Sequence, residues 1–396
     1  MLPGMVTAAV ERTRATRFPY IRSLDGLRGL LVFPVAAFHF SLTAATDPAD
    51  RHILAPGAFF APSAFFALSG FLITSLLMVE HERTGSIDGR GFWARRFRRL
   101  LPASVFVVLA VVAVGAVLPQ WWGPLPVPDI ASALFSVQNW WSIHLANTDQ
   151  AYRLLGPLGV YWSLAVEEQF YLGLFLVVFV ASRTRHMIRW LTGALVIIGT
   201  LSIISLVVVQ SSPQREFFGT DSRASELVAG CLVAVAFHHW GWPKGRWWGW
   251  AAWIALAATA LAWLFVWEDD SFVLGGALAL ISIPNVFLIC GATVEGGFQR
   301  FLGLRPLVEL GRISYPVYLV HWPIGLVMNP VRMGFGGLPL IVARFAVSVA
   351  VGYGITRLLE KPLRTSSLVR WPRGIVVWGT AVVAAIGVSW ATAGWS

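Results

Sequence analysis

Charge is scarce in this chain. Only 13% of its 396 residues are Asp, Glu, Lys or Arg, about half the roughly 25% that a soluble domain carries, so a water-facing globular surface is excluded. Cysteine is scarcer still. Cys231 and Cys290 are the two cysteines; both lie in apolar stretches, so neither a disulfide framework nor a thiolate metal site is expected and both read as small packing residues. No HExxH, CxxC, P-loop or dinucleotide glycine fingerprint occurs, and His238-His239 stands at a loop without a partner, so no metal is expected. A cleavable signal peptide, an internal repeat, a low-complexity tract and a terminal soluble domain are all missing from the pattern.

Hydrophobic residues make up 57% of the chain and the mean hydropathy is +0.68, which points to lipid as the main solvent. A span needs about 20 apolar residues, and the pattern places spans near 25–45, 58–79, 101–118, 159–181, 190–209, 222–239, 247–266, 272–292, 313–330, 338–357 and 375–393. The fold class is therefore all-α, a polytopic membrane helical bundle of about 10–11 transmembrane helices. Many of the 20 Trp residues flank these spans, as interfacial belts do.

Orientation follows from the basic residues. With a cytoplasmic N-terminus, every Lys and Arg falls in a cytoplasmic segment except Arg28, Arg51, Arg153, Arg215, Arg223, Arg332 and Arg344. The positive-inside rule thus accounts for the net charge of +10, and no nucleic-acid partner is implied. Two loops differ from the rest. Residues 119–158 form a long outer segment rich in Pro and Trp whose middle, 130–145, suits an interfacial or re-entrant helix; residues 80–100 form a basic inner segment.

Ionisable groups inside spans are costly and mark function by default. In the first span, LDGLRGLLVFPVAAFHF, Arg28 and His39 lie eleven residues apart. They share one helix face at a separation of roughly 16 Å, with Pro34 between them kinking the helix. The structural reading has Arg28 snorkelling and His39 packing; the functional one makes His39 a general base, since its unperturbed pKa lies near neutrality. The second span holds Ser69-Gly70, which permits close helix packing or leaves room for a ligand chain. Arg95, Arg96, Arg98 and Arg99 precede the third span, as positive-inside anchors or as a phosphate clamp. The fourth span, YWSLAVEEQFYL, places Ser163 four residues before Glu167, with Trp162 adjacent and Glu168 following; two neighbouring carboxylates in a bilayer helix are hard to explain as packing. Asp221, Arg223 and Glu226 gather where the sixth span begins, with Arg223 expected to pair with Asp221 or Glu167. The ninth span buries Tyr315, Tyr318 and His321.

These stretches occur in a familiar order: SLDGLRGLLVFPVAAFHF at 23–40, FFALSGFLIT at 65–74, FWARRFRRLLPA at 92–103, YWSLAVEEQFYL at 161–172, GRISYPVYLVHWP at 311–323 and EKPLR at 360–364. Taken together, the chain resembles the acyltransferase family 3 membrane proteins of bacteria. The resemblance implies a multi-pass protein of the bacterial cytoplasmic (inner) membrane. Residues 1–24 would be a basic cytoplasmic segment, 25–366 the acyltransferase domain, and 367–396 a last helix with a short extracytoplasmic end. Some relatives carry an extracellular hydrolase-like domain after the last span. This sequence reads as the stand-alone type, its counterpart being a separate extracytoplasmic partner protein.

The implied reaction moves an acyl group, acetyl by default, from cytoplasmic acyl-CoA to a hydroxyl of an envelope glycan, a glycolipid or a metabolite such as a macrolide. In that scheme His39, Glu167 and Arg28 are catalytic. Arg28, Arg95, Arg96, Arg98, Arg99 and Ser69 bind the donor, with the basic pair falling in either register, Arg95/Arg98 or Arg96/Arg99. Asp221, Arg223, Tyr315, His321, Trp162 and Ser163 contact the acceptor, and Glu167 orients the His39 imidazole. Two other classes fit the same composition: a transporter or flippase for a glycolipid or antibiotic, and a scaffold for an envelope-assembly complex.

Overall fold

The computed structural model describes residues 18–45, 54–209, 212–267, 276, 278–366 and 373–393. Arg12, Arg14, Arg17, Arg51 and Arg370 of the charge pattern lie outside the described residues, as do parts of the three segments assigned above. No strand occurs among the described residues, as expected where lipid cannot satisfy an open backbone. Each of the eleven expected spans holds a helix in its described part; residues 272–275 and 277 of the span expected at 272–292 lie outside the described residues. In chain order the labelled helices are α1 (Arg22–Leu42), α2 (Ala61–Thr84), α3 (Gly89–Val117), α4 (Val127–Leu134), α5 (Gln138–Ala146), α6 (Tyr161–Ala181), α7 (Met187–Ile204) and α8 (Thr220–Trp240). They continue as α9 (Trp247–Phe265), α10 (Ser282–Thr293), α11 (Arg305–Arg312), α12 (Ser314–Val327), α13 (Gly337–Ile355) and α14 (Arg373–Ala393).

Among the described residues six stretches are long and apolar enough to cross a membrane on length and composition alone: Pro56–Thr84, Gly89–Val117, Tyr161–Ala181, Met187–Val208, Trp247–Phe265 and Gly337–Arg364. Leu278–Thr293 and Val376–Thr392 are shorter apolar helices. Of the remaining three, α12 is only 14 residues long, and all three carry the bundle's polar cargo, namely Asp25, Arg28 and His39 on α1, Asp221, Arg223 and Glu226 on α8, and Tyr315, Tyr318 and His321 on α12.

Glycines let the polar helices approach closely. A Cβ at Gly70 would lie 2.0 Å from the Leu227 carbonyl oxygen and one at Gly230 would lie 1.7 Å from that of Ala67, so α2 and α8 touch backbone to backbone. This is the close-approach role expected of Ser69-Gly70. Likewise a Cβ at Gly29 would lie 2.0 Å from the Leu307 oxygen and one at Gly311 1.7 Å from that of Asp25, which seats α11 against the first half of α1. Both cysteines are buried and free.

Two segments differ from expectation. The inner segment 80–100 is a tight turn between long helices rather than a loop: Gly85 closes α2 in the left-handed region at φ 71°, and the Asp88 carboxylate caps α3 by accepting from Gly91 N at 2.9 Å. With Arg and aromatic residues that tolerate helix, α3 starts about a dozen residues early, so its arginines stand on a rigid rod. The segment 130–145 is two helices, α4 and α5, split at Ser136, whose φ of 56° breaks the run. The Ser136 carbonyl is held by Gln169 Nε2 at 2.7 Å.

Candidate active site

The turns after α2, α6, α8 and α10 and the Arg357–Arg364 stretch share one end of the bundle, the basic end. Here the α3 arginines separate by helical phase. Arg95 points outward and pairs with Glu80 at 3.0 Å, and Arg98 donates to the Ala94 carbonyl at 3.0 Å. Arg96 turns inward: its guanidinium binds both Glu168 oxygens at 2.9–3.1 Å and lies 3.6 Å above the Tyr171 ring. Arg99 shares that inward sector. It stays accessible among the charges of Arg28, Arg96 and Arg364, and Glu360 is the carboxylate within electrostatic range of both Arg99 and Arg364. The inward pair is thus Arg96/Arg99, and Glu168 saturates Arg96. Arg28 is only loosely paired, 3.9 Å from Asp25.

A line of polar side chains continues inward. Ser69 Oγ donates to Glu167 Oε1 at 3.1 Å and Tyr171 Oη donates to Glu167 Oε2 at 3.0 Å. Tyr318, within electrostatic range of Glu167, accepts from Ser163 Oγ at 2.5 Å and donates to the Val160 carbonyl at 2.8 Å. One turn on, His321 meets His39: His321 Nε2 lies 3.2 Å from His39 Nδ1. His39 Nδ1 also lies 2.8 Å from the Val35 carbonyl, and His321 Nδ1 2.5 Å from that of Tyr318. The expected contact between Glu167 and His39 is not formed, because Glu167 is spent on Ser69 and Tyr171 while His321, from a helix 282 residues away in sequence, takes the place beside the imidazole. Ser69, Glu167, Glu168, Tyr318 and His39 each keep part of their surface accessible.

The other expected site residues are placed elsewhere. Tyr315 Oη donates to the Leu100 carbonyl at 3.1 Å. Asp221 pairs with Arg215 at 2.8 and 2.9 Å, and Arg223 with Glu226 at 3.1 Å, so the expected pairing of Arg223 with Asp221 or Glu167 is corrected. The reason is helical phase: residues two apart point to opposite sides, whereas those three apart are neighbours. The Arg223–Glu226 pair is fully buried, with Arg223 Nη2 3.1 Å from Ser63 Oγ and its guanidinium 5.3–5.7 Å from the rings of Phe66, Phe217 and Trp162. His238, expected to lack a partner, lies 3.3 Å from Glu82, since α2 and α8 end side by side. Among the described residues no three His, Cys, Asp or Glu side chains are grouped to hold a metal.

Arg344 was legible only as a charge inside a span. It is fully buried in α13 and spends its guanidinium on three carbonyls: Met328 at 2.9 Å, Phe40 at 2.6 Å and Thr43 at 3.1 Å. It thereby clasps the end of α1, next to His39, to the end of α12. Gln169 was equally silent. It accepts from Trp140 Nε1 at 3.0 Å and Thr220 Oγ1 at 2.6 Å, and donates to Ser136 and to Asn139 Oδ1 at 2.9 Å, tying α5 to the bundle.

The fold and the site define an all-helical membrane bundle with a cationic cluster at one end and a paired histidine in its interior. Comparison with known families makes this specific. The model described as an acyltransferase domain matches residues 21–357, and the chain belongs to that acyltransferase family. Among curated proteins it is 31% identical over 386 residues to the peptidoglycan O-acetyltransferase OatA of Listeria monocytogenes, covering 91% of this chain and 59% of that protein. It is 30% identical over 376 residues to the putative peptidoglycan O-acetyltransferase YrhL of Bacillus subtilis, covering 90% of this chain and 57% of that protein. It is also 30% identical over 365 residues to the O-acetyltransferase OatA of Staphylococcus aureus, covering 87% and 57%. The chain thus spans a little under three fifths of the length of these relatives. No solved structure matches it.

Proposed function

We propose that this chain is a membrane O-acetyltransferase that carries an acetyl group from cytoplasmic acetyl-CoA to a hydroxyl of a cell-envelope glycan, with peptidoglycan the first acceptor to test. The observation that carries the reading is the polar line from the cluster of Arg28, Arg99 and Arg364 to His39. Three cations crowd together there, with Glu360 in electrostatic range of Arg99 and Arg364 and Asp25 loosely paired to Arg28, an arrangement that a polyanion such as the CoA phosphates relieves. The helical rise from Arg28 to His39 is roughly 16 Å, about the reach of a pantetheine arm, so a donor anchored on the arginines delivers its thioester to the imidazole. His39 then serves as general base toward the acceptor hydroxyl, while Glu167 shapes the middle of the path through Ser69 and Tyr171. Holding thioester and hydroxyl together in a dry interior supplies much of the rate.

In this reading the N-terminus is cytoplasmic, the bilayer is the bacterial inner membrane, and residues 25–366 form the acyltransferase unit. The names of the relatives favour acetyl and a wall glycan over a longer acyl chain or a macrolide. The test uses proteoliposomes or cells fed isotope-labelled acetyl-CoA, with muropeptides analysed by mass spectrometry. Label should appear as O-acetyl on the glycan and vanish with His39→Ala. Labelled acetyl-CoA that yields no acetylated product, with transbilayer movement of a glycolipid instead, would establish a transporter.

A further inference from the structure

We infer that His321 is a positioning residue that holds His39 in one tautomer and leaves His39 Nε2 as its basic atom. This rests on the general-base reading of His39 given above and changes the part assigned to His321 from acceptor contact to support. Backbone carbonyls only accept hydrogen bonds. The Tyr318 carbonyl, 2.5 Å from His321 Nδ1, therefore places that ring's proton on Nδ1, and the Val35 carbonyl, 2.8 Å from His39 Nδ1, does the same for His39. The 3.2 Å contact between His39 Nδ1 and His321 Nε2 then has a single sense: His39 Nδ1–H donates, shared with Val35, and the bare His321 Nε2 accepts. Nε2 of His39 has no protein partner among the described residues.

Accessibility agrees. His321 is 1% exposed, whereas His39 keeps part of its surface open, so His39 is the more accessible residue of the two. Phe38 and Trp322, with ring centroids 5.4 and 5.5 Å from that of His39, hold it on its flanks.

The chemistry balances through this one atom. The acceptor O–H gives its proton to His39 Nε2 as its oxygen bonds to the thioester carbonyl carbon. The C–S bond breaks, and the proton passes from Nε2 to the departing sulfur, returning His39 to neutrality. While the ring is charged, the Nδ1–H bond to His321 Nε2 becomes charge-assisted and strengthens. A neutral imidazole gives this support without the standing cost of an unpaired carboxylate in the bilayer interior.

The test is ¹⁵N NMR of histidine-labelled protein in nanodiscs at neutral pH, with His39→Ala and His321→Gln used for assignment. Both rings should be protonated at Nδ1 and bare at Nε2; a proton on Nε2 of either ring overturns the inference. Kinetically, His321→Ala should lower kcat roughly 10- to 100-fold, the scale for an outer partner that orients a functional histidine, with KM for the donor and acceptor little changed. His321→Gln, whose amide oxygen can accept from His39, should recover most of the loss. Equal losses in both variants, or a raised KM at unchanged kcat, would sink the positioning role. Full transfer by His39→Ala would instead remove the general-base reading, and the NMR result would still decide the tautomer.

Discussion

Arg344 and Arg99 are both arginines in a membrane bundle, and their surroundings are opposite. Arg344 is fully buried and spends its guanidinium on three carbonyls; Arg99 is accessible, with Arg28, Arg96 and Arg364 as its charged neighbours and Glu360 as a distant counterweight. A saturated cation is a structural rivet, since its donors are spent on the fold. One crowded by its own kind stores repulsion that an incoming polyanion releases. The same contrast divides the acidic pair, where Glu168 saturates Arg96 and Glu167 accepts from two hydroxyls and keeps part of its surface open.

Four substitutions can break or sharpen this contrast. His39→Ala, at the end of the polar line, should cost about three orders of magnitude in acetyl transfer, the middle of the general-base range, while the thermal midpoint in detergent stays within a few degrees. An unfolded variant would make His39 a packing residue instead. Arg344→Leu should act the other way round: three carbonyls lose their donor, at about 1–3 kcal/mol for each group left unpaired and buried, so thermal or denaturant unfolding shifts strongly. Whatever activity remains should show an unchanged donor KM. Arg99→Ala should raise the KM for acetyl-CoA about tenfold, the equivalent of one charged hydrogen bond of 1.5–3 kcal/mol at its lower bound, with unfolding unaffected. A stability loss as large as that of Arg344→Leu would erase the distinction. Arg95→Ala, which removes an exposed ion pair to Glu80, should move neither quantity beyond about twofold, because surface pairs are worth about 0–1 kcal/mol.

The helical class and the order of the apolar helices were legible because hydrophobic runs report the solvent directly, and lipid leaves helix as the solution for such runs. Helix ends were less so. The arginines before the third span read as loop because dense charge suggests exposure, yet Asp88 caps them into α3. Partners were least legible. Sequence closeness offers Arg223 a partner in Asp221, and its place in the span offers Glu167, yet helical phase favours Glu226, which it binds. Nothing in a single sequence could join His39 to His321, since that contact is made by the tertiary fold alone. Arg344 could have been found, for a charge in an apolar helix always needs an explanation, but its partners are carbonyls and carbonyls leave no mark in a sequence.

The glycine seam between α1 and α11 has a mechanical consequence. Gly29 and Gly311 bring the two backbones together at the basic half, α12 follows α11 after the single residue Ile313, and His39 near the far end of α1 meets His321 in the middle of α12. The seam thus sets where α11, and α12 joined to it, stand against α1. A methyl group inserted at Gly29 would meet the Leu307 carbonyl and push α11 off α1, so the 3.2 Å contact between the imidazoles depends in part on a glycine that touches neither of them.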